Sequence, residues 1–158
     1  TCFGRWFNKI SPVKVIGLVR LYGGMLNNIV YSLRDKDMVT MIMYGIPNCN
    51  SVKKARVWLE HHNVEYTFHD YKKLGISSEK IEAWLGQIPL ERLLNKAGMT
   101  YRNLNSIEKE SASEKNGAIA IMIEKPSVIK RPLIEDESGK VMCLGFSDEL
   151  YEDLFNGK

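Results

Sequence analysis

Between Met41 and Tyr71 the hydrophobic pattern changes period twice, and this succession restricts the fold more than any other feature of the chain. Met41 to Ile46 is a short apolar run closed by Pro47, the form of a buried strand that ends in a turn. Val52, Ala55, Leu59 and His62 then recur at three- and four-residue spacing, the period of an amphipathic helix, with Asn48 and Asn50 placed before them as caps. From Val64 to Tyr71 the pattern alternates, Tyr66 and Phe68 against Thr67 and His69, as on a half-buried strand. Strand, helix, strand is the opening unit.

The next sixty residues carry helical signals only. Ser77-Ser78-Glu79 reads as a helix start, Ile81, Trp84 and Leu85 supply its apolar face, and Gly86 ends it. A short helix holding Leu90, Leu93 and Leu94 is expected to end near Gly98. Further helix is expected over 107–110 and 115–124, the latter burying Ala118, Ile119, Met122 and Ile123 before Pro126 breaks the chain. Leu133-Ile134 and the run from Val141 to Leu144 flank Glu135-Asp136-Glu137-Ser138-Gly139-Lys140, a charged turn with a glycine, which predicts a β-hairpin. Ser147 then caps a last helix through Leu150, Tyr151, Leu154 and Phe155. The order β-α-β, helical insert, β-β, α predicts an α/β fold of thioredoxin-like (glutaredoxin-like) type with an all-helical insertion between its halves.

Composition bounds the function. A chain of 158 residues suits one compact domain, which we place at 41–158. Residues 1–40 read as an atypical leader, disordered or upstream of a native start at Met38, Met41 or Met43, because the apolar Val15-Ile16-Gly17-Leu18-Val19 is interrupted by Lys14 and Arg20 and has no small-residue cleavage site after it. The net charge of +3 is uneven: the first 37 residues hold six basic and two acidic groups, leaving 16 of the 22 basic and 17 of the 19 acidic residues in the body. A body without excess positive charge argues against direct nucleic-acid binding. No apolar run approaches the roughly 20 residues that span a bilayer, so no membrane association is expected. Cys2, Cys49 and Cys143 are too few and too widely spaced for a disulfide scaffold or structural zinc, which points to a reducing, cytoplasmic setting.

Cys49 is the candidate nucleophile. In Pro47-Asn48-Cys49-Asn50-Ser51-Val52-Lys53 it falls where strand gives way to helix, and free backbone N–H groups and the helix dipole favour an anion there. Lys53, one helical turn on, is a candidate cation for it. Its polar neighbours Asn48, Asn50 and Ser51 set it apart from a packing cysteine, and the turn opens at the carboxyl ends of the strands, where ligands bind α/β sheets. Cys143, alternating with Val141 in a hairpin strand, reads as packing instead. His61, His62 and His69 lack metal-site spacing and read as solvated histidines, and Lys72-Lys73 as a solvated face.

Tyr44-x-x-Pro47-x-Cys49, Lys53-Lys54-Ala55, Phe68-His69-Asp70-Tyr71, Lys125 to Pro132 and Gly145-Phe146-Ser147 together resemble the arsenate reductase (ArsC) family, most of all its YffB-like branch beside Spx. The resemblance implies that Cys49 is the catalytic cysteine, which attacks an oxyanion or disulfide and is released by glutathione or a glutaredoxin. It implies that Arg131 belongs to an Arg-Pro motif, with a cis bond to Pro132, that binds anions and supports the thiolate. Asn50, Ser51, Lys53 and Pro132 are then the expected substrate-binding residues. Arsenate reductases of this type surround the cysteine with three arginines; here the second position falls on Asn95, with Arg92 nearby, and the third on Leu144. Val52 occupies the fourth position of the Spx-type CxxC switch, so the motif has no resolving thiol. The expected activity is therefore monothiol exchange by a glutathione-dependent thiol reductase, with no bound cofactor and glutathione as co-substrate. The alternatives are an Spx-like regulatory protein that docks on transcription machinery, and arsenate reductase proper.

Overall fold

The run that begins at Met41 forms β1 (Met41–Gly45), and its residues divide between two cores: Met41 and Met43 enter one, Tyr44 and the half-buried Ile42 the other. A computed structural model describes residues 41–156, within the unit Val39–Lys158, so the reading of residues 1–40 as a leader lies outside the described residues. Helix α1 (Asn50–His61) follows the turn at Pro47 and crosses back to β2 (Tyr66–Asp70), which pairs with β1 in parallel from Met41↔Tyr66 to Gly45↔Asp70. The hairpin strands β3 (Leu133–Glu135) and β4 (Val141–Leu144) complete a four-stranded sheet of order β2-β1-β3-β4, with both of their pairings antiparallel. Asp136 closes the hairpin by accepting from the Ser138 and Lys140 N–H groups, and Gly139 turns it at φ +81°, a region that favours glycine.

The sheet separates two apolar clusters. On one face α1 buries Val52, Ala55, Trp58 and Leu59 against Met43, Ile134 and Cys143, together with Tyr151 of the last helix, α8 (Asp148–Tyr151). On the other face lies the helical insertion: α2 (Tyr71–Leu74), α3 (Ser78–Leu85), α4 (Leu90–Leu93), α5 (Met99–Arg102), α6 (Ser106–Ser111) and α7 (Lys115–Glu124). Its core is built from Tyr71, Ile81, Trp84, Leu93, Ala118 and Met122 against Tyr44 and Leu133. This is the expected thioredoxin-like arrangement with its all-helical insertion.

The helices depart from the sequence reading at three points. Gly98 opens α5 rather than ending the helix before it, because Leu94 leaves α4 in extended conformation and bridges Ile129. In α7 Ile121 is buried and Ile123 is 43% exposed, since the buried set falls on Ala118, Ile119, Ile121 and Met122. The last helix changes to a wider π turn over Glu152–Asn156, and Leu150 stays partly exposed.

Two connections fix the insertion to the rest. Residues 93–95 pair with the segment before Arg131: the Lys130 N–H donates to Leu93 O at 2.7 Å and the Asn95 N–H to Val128 O at 2.7 Å. Beneath them the Glu135 carboxylate, 1% exposed, accepts from Tyr44 Oη (2.7 Å), Lys80 Nζ (2.9 Å) and Trp84 Nε1 (2.9 Å), joining β1, β3 and α3. Burial alone pushes this carboxyl up, but the three donors outweigh it and hold Glu135 below the usual carboxylate value.

Candidate active site

The Cys49 turn is made by backbone alone. The Cys49 N–H donates to Ile46 O at 3.2 Å and the Lys53 N–H to Cys49 O at 2.9 Å, so the helical ladder begins at the cysteine itself. Cys49 is thus the N-cap of α1, in extended conformation at φ −112°, ψ 128°. Neither asparagine caps the helix: Asn50 is its first residue, and Asn48 Oδ1 accepts from Lys53 Nζ at 3.2 Å. A thiol in place of the usual hydroxyl or carboxamide makes no capping hydrogen bond. It faces the unpaired N–H groups of the first turn, which favour its anion.

Sheet register brings the second element to this turn. Tyr44 pairs with Leu133 in the antiparallel β1–β3 ladder, so Pro132 and Arg131 run on alongside Gly45 and Ile46 toward Cys49. The Arg131–Pro132 bond is cis. Arg131 Nη1 is held by the carbonyls of Ser127 (2.5 Å) and Ile129 (3.2 Å). Its Nε is buried with no protein acceptor in hydrogen-bond geometry among the described residues, which leaves that donor to the ionised sulfur or to a bound anion. The Tyr71 hydroxyl, fully buried and likewise without a hydrogen-bond partner, lies within the field of Arg131, and burial pushes its pKa up.

These surroundings act on the half-buried Cys49 thiol in opposite senses. Burial raises its pKa; the Val52 N–H, the Arg131 guanidinium through hydrogen bonding and charge, and the Ser51 N–H lower it, and together they prevail. The cation at the sulfur is Arg131 and not Lys53, whose ammonium is turned to Asn48. Ser51 meets the sulfur through its backbone, and the exposed Asn50 begins the helix. Cys143 behaves oppositely: 6% exposed on β4, its thiol is pushed up to about 11 by burial. Val52 is wholly buried against the sheet, its methyls filling the space over Gly45. Asn95 sits beside the Arg131 segment through its backbone bond to Val128, and Leu144 pairs with Leu133.

Two of the three histidines are engaged elsewhere, and the exposed His61 ends α1. His69 Nε2 donates to Gly75 O at 2.8 Å, and the His62 ring stacks on Trp58 with centroids 3.7 Å apart. Among the described residues no group of three His, Cys, Asp or Glu side chains could hold a metal ion. No helix among them is long and apolar enough to cross a membrane. Sequence reasoning missed Tyr71 and Glu135, which periodicity marks only as the end of one strand and the start of a charged turn.

Residues 44–154, a span that includes both Cys49 and Arg131, match the family model described as "ArsC family". The chain belongs to the ArsC family. An uncharacterized protein of Haemophilus influenzae is 38% identical over 118 residues, covering 75% of this chain and 99% of that protein. The solved structure of a YFFB protein shares 39% identity at a TM-score of 0.67, covering 73% of this chain and 98% of that one. The global transcriptional regulator Spx 2 of Bacillus anthracis is 27% identical over 112 residues, 69% of this chain and 82% of its own. ArsC-family membership therefore connects the chain to YffB-like and Spx-like relatives alike.

Proposed function

We propose that this ArsC-family protein is a glutathione-dependent thiol reductase working by monothiol exchange at Cys49. The observation that carries the reading is the thiol itself: half-buried at the N-terminus of α1, facing two backbone N–H groups and the Arg131 guanidinium, with its pKa lowered despite burial. The thiolate is the nucleophile in such chemistry. Cys49 Sγ attacks one sulfur of a disulfide; the new S–S bond forms as the old one breaks, and the leaving thiolate carries off the electron pair and takes a proton from solvent. A glutathione thiolate then attacks the substrate sulfur of the mixed disulfide, forming a glutathione adduct and returning Cys49 as thiolate. The Arg131 guanidinium is the group that would hold a glutathione carboxylate, with Asn50, Ser51, Lys53 and Pro132 lining the approach. With Val52 where a resolving cysteine would stand, an external thiol completes the cycle.

Asn95 and Leu144 in place of two arginines disfavour arsenate as substrate, because an oxyanion and a thiolate repel unless several cations hold them together. The Spx relationship favours a second reading, a regulatory protein that binds transcription machinery. Incubation with oxidised glutathione and mass measurement decide between them. The reductase reading expects one adduct, on Cys49, removed by reduced glutathione; no adduct at any pH up to about 9 would leave the regulator.

A further inference from the structure

A groove of about 530 Å³ lies along the outward side of α1, beginning one helical turn from Cys49. Its apolar lining is Val57, 55% exposed, with Trp58 and Phe146. Its charged lining is Lys53 and Lys54 against Asp148, with His61 and His62 at the far end, where the His62 ring is stacked on Trp58. Lys53 marks the end near the nucleophile, since its ammonium reaches Asn48, the residue before Cys49. At about 1.5 Å per helical residue, Lys53 to His62 spans about 14 Å, room for about four residues of extended chain.

We propose that this groove receives the acidic segment flanking the reacting cysteine in a protein disulfide, an apolar side chain of that segment packing on Val57 and Phe146. The inference rests on the thiol-exchange reading of Cys49 and names its substrate class. Charge complementarity selects the occupant: Lys53 and Lys54, at the end near the nucleophile and outnumbering Asp148, favour a carboxylate-bearing chain, and the first 37 residues of this chain, six basic against two acidic, carry the wrong sign. Length separates a protein substrate from glutathione, which extends by one residue on either side of its cysteine and leaves most of the groove unused.

The test uses the full chain and two synthetic peptides, Cys-Asp-Leu-Glu-Glu and Cys-Lys-Leu-Lys-Lys, each joined through its cysteine to thionitrobenzoate. Attack by the Cys49 thiolate forms the peptide disulfide and expels coloured thionitrobenzoate with the bonding electrons, and Cys49→Ser protein supplies the background. The acidic peptide is expected to react about tenfold faster than the basic one. Lys54→Glu combined with His61→Glu should abolish that preference while leaving exchange with oxidised glutathione unchanged. Equal rates for the two peptides, or a charge reversal that slows oxidised glutathione as much as the acidic peptide, would overturn the proposal. Fluorescence anisotropy of labelled Ser-Asp-Leu-Glu-Glu reads docking without chemistry. Saturable binding that Lys54→Glu/His61→Glu weakens supports the groove even if Cys49 exchanges with nothing, and no binding up to about 1 mM overturns it.

Discussion

Arg131 and Cys49 form a pair whose ionisation should be visible in a titration. Because the folded thiol is more acidic than a free one, its alkylation rate by iodoacetamide should reach half its plateau at a lower pH than that of a free cysteine measured alongside. Arg131→Gln removes the guanidinium and should move that midpoint upward; an unmoved midpoint would show that the backbone donors of Val52 and Ser51 suffice. Beneath the turn, Gly45 and Val52 set a tight contact. A Cβ on Gly45 would stand 2.9 Å from Val52 Cγ2, so Gly45→Ala should cost about 1–3 kcal/mol in urea unfolding and disturb the Cys49 turn as it does so. The importance of Cys49 was legible in the sequence because polar neighbours and a period change bracket it. Proximity in sequence singles out Lys53 as its cation; only the family resemblance pointed to Arg131, which the β1–β3 register delivers from 82 positions away.

At the scale of elements, the buried Glu135 is the joint between sheet and insertion. Glu135→Ala leaves Tyr44 Oη, Lys80 Nζ and Trp84 Nε1 without their acceptor and should destabilise by about 3 kcal/mol or more. The sign of its pH dependence follows from the lowered folded pKa: the stabilisation is present above the unfolded value near 4.5 and is lost as pH falls through the folded value. Acid unfolding of the wild type should therefore steepen below about pH 4.5, and Glu135→Gln should flatten that limb. A second joint, between α6 and α7, depends on a glycine. A Cβ on Gly117 would lie 2.2 Å from Ser111 O, so Gly117→Ala should lower the melting temperature by several degrees or prevent folding. The strands were readable from their apolar runs and alternation, and α1 and α3 from the three- and four-residue period of their buried faces. The short insertion helices were not: four-residue segments such as α4 and α5 carry no full period, and their ends are set by the pairing of Leu94 with Ile129.

For the molecule as a whole, the sheet divides two cores that share only the strands between them. Leu59→Ala empties space on the α1 side and Leu93→Ala on the insertion side, each expected to cost about 3 kcal/mol. Their effects should add to within about 0.5 kcal/mol in the double variant, and a large excess would mean that the sheet transmits strain from one core to the other. The β-α-β, insert, β-β, α order was legible across the whole body because it depends on periods and breakers rather than on particular contacts. The division into two cores was not, since a continuous apolar run such as β1 does not say which helices cover which face. Arg131 shows what this architecture gives to chemistry. Its guanidinium is already clasped by the Ser127 and Ile129 carbonyls and acts on the Cys49 sulfur through hydrogen bonding and charge. The dipoles of the site are thus oriented once, when the chain folds, and a negative charge formed on the sulfur meets a polarised cradle that does not have to rearrange.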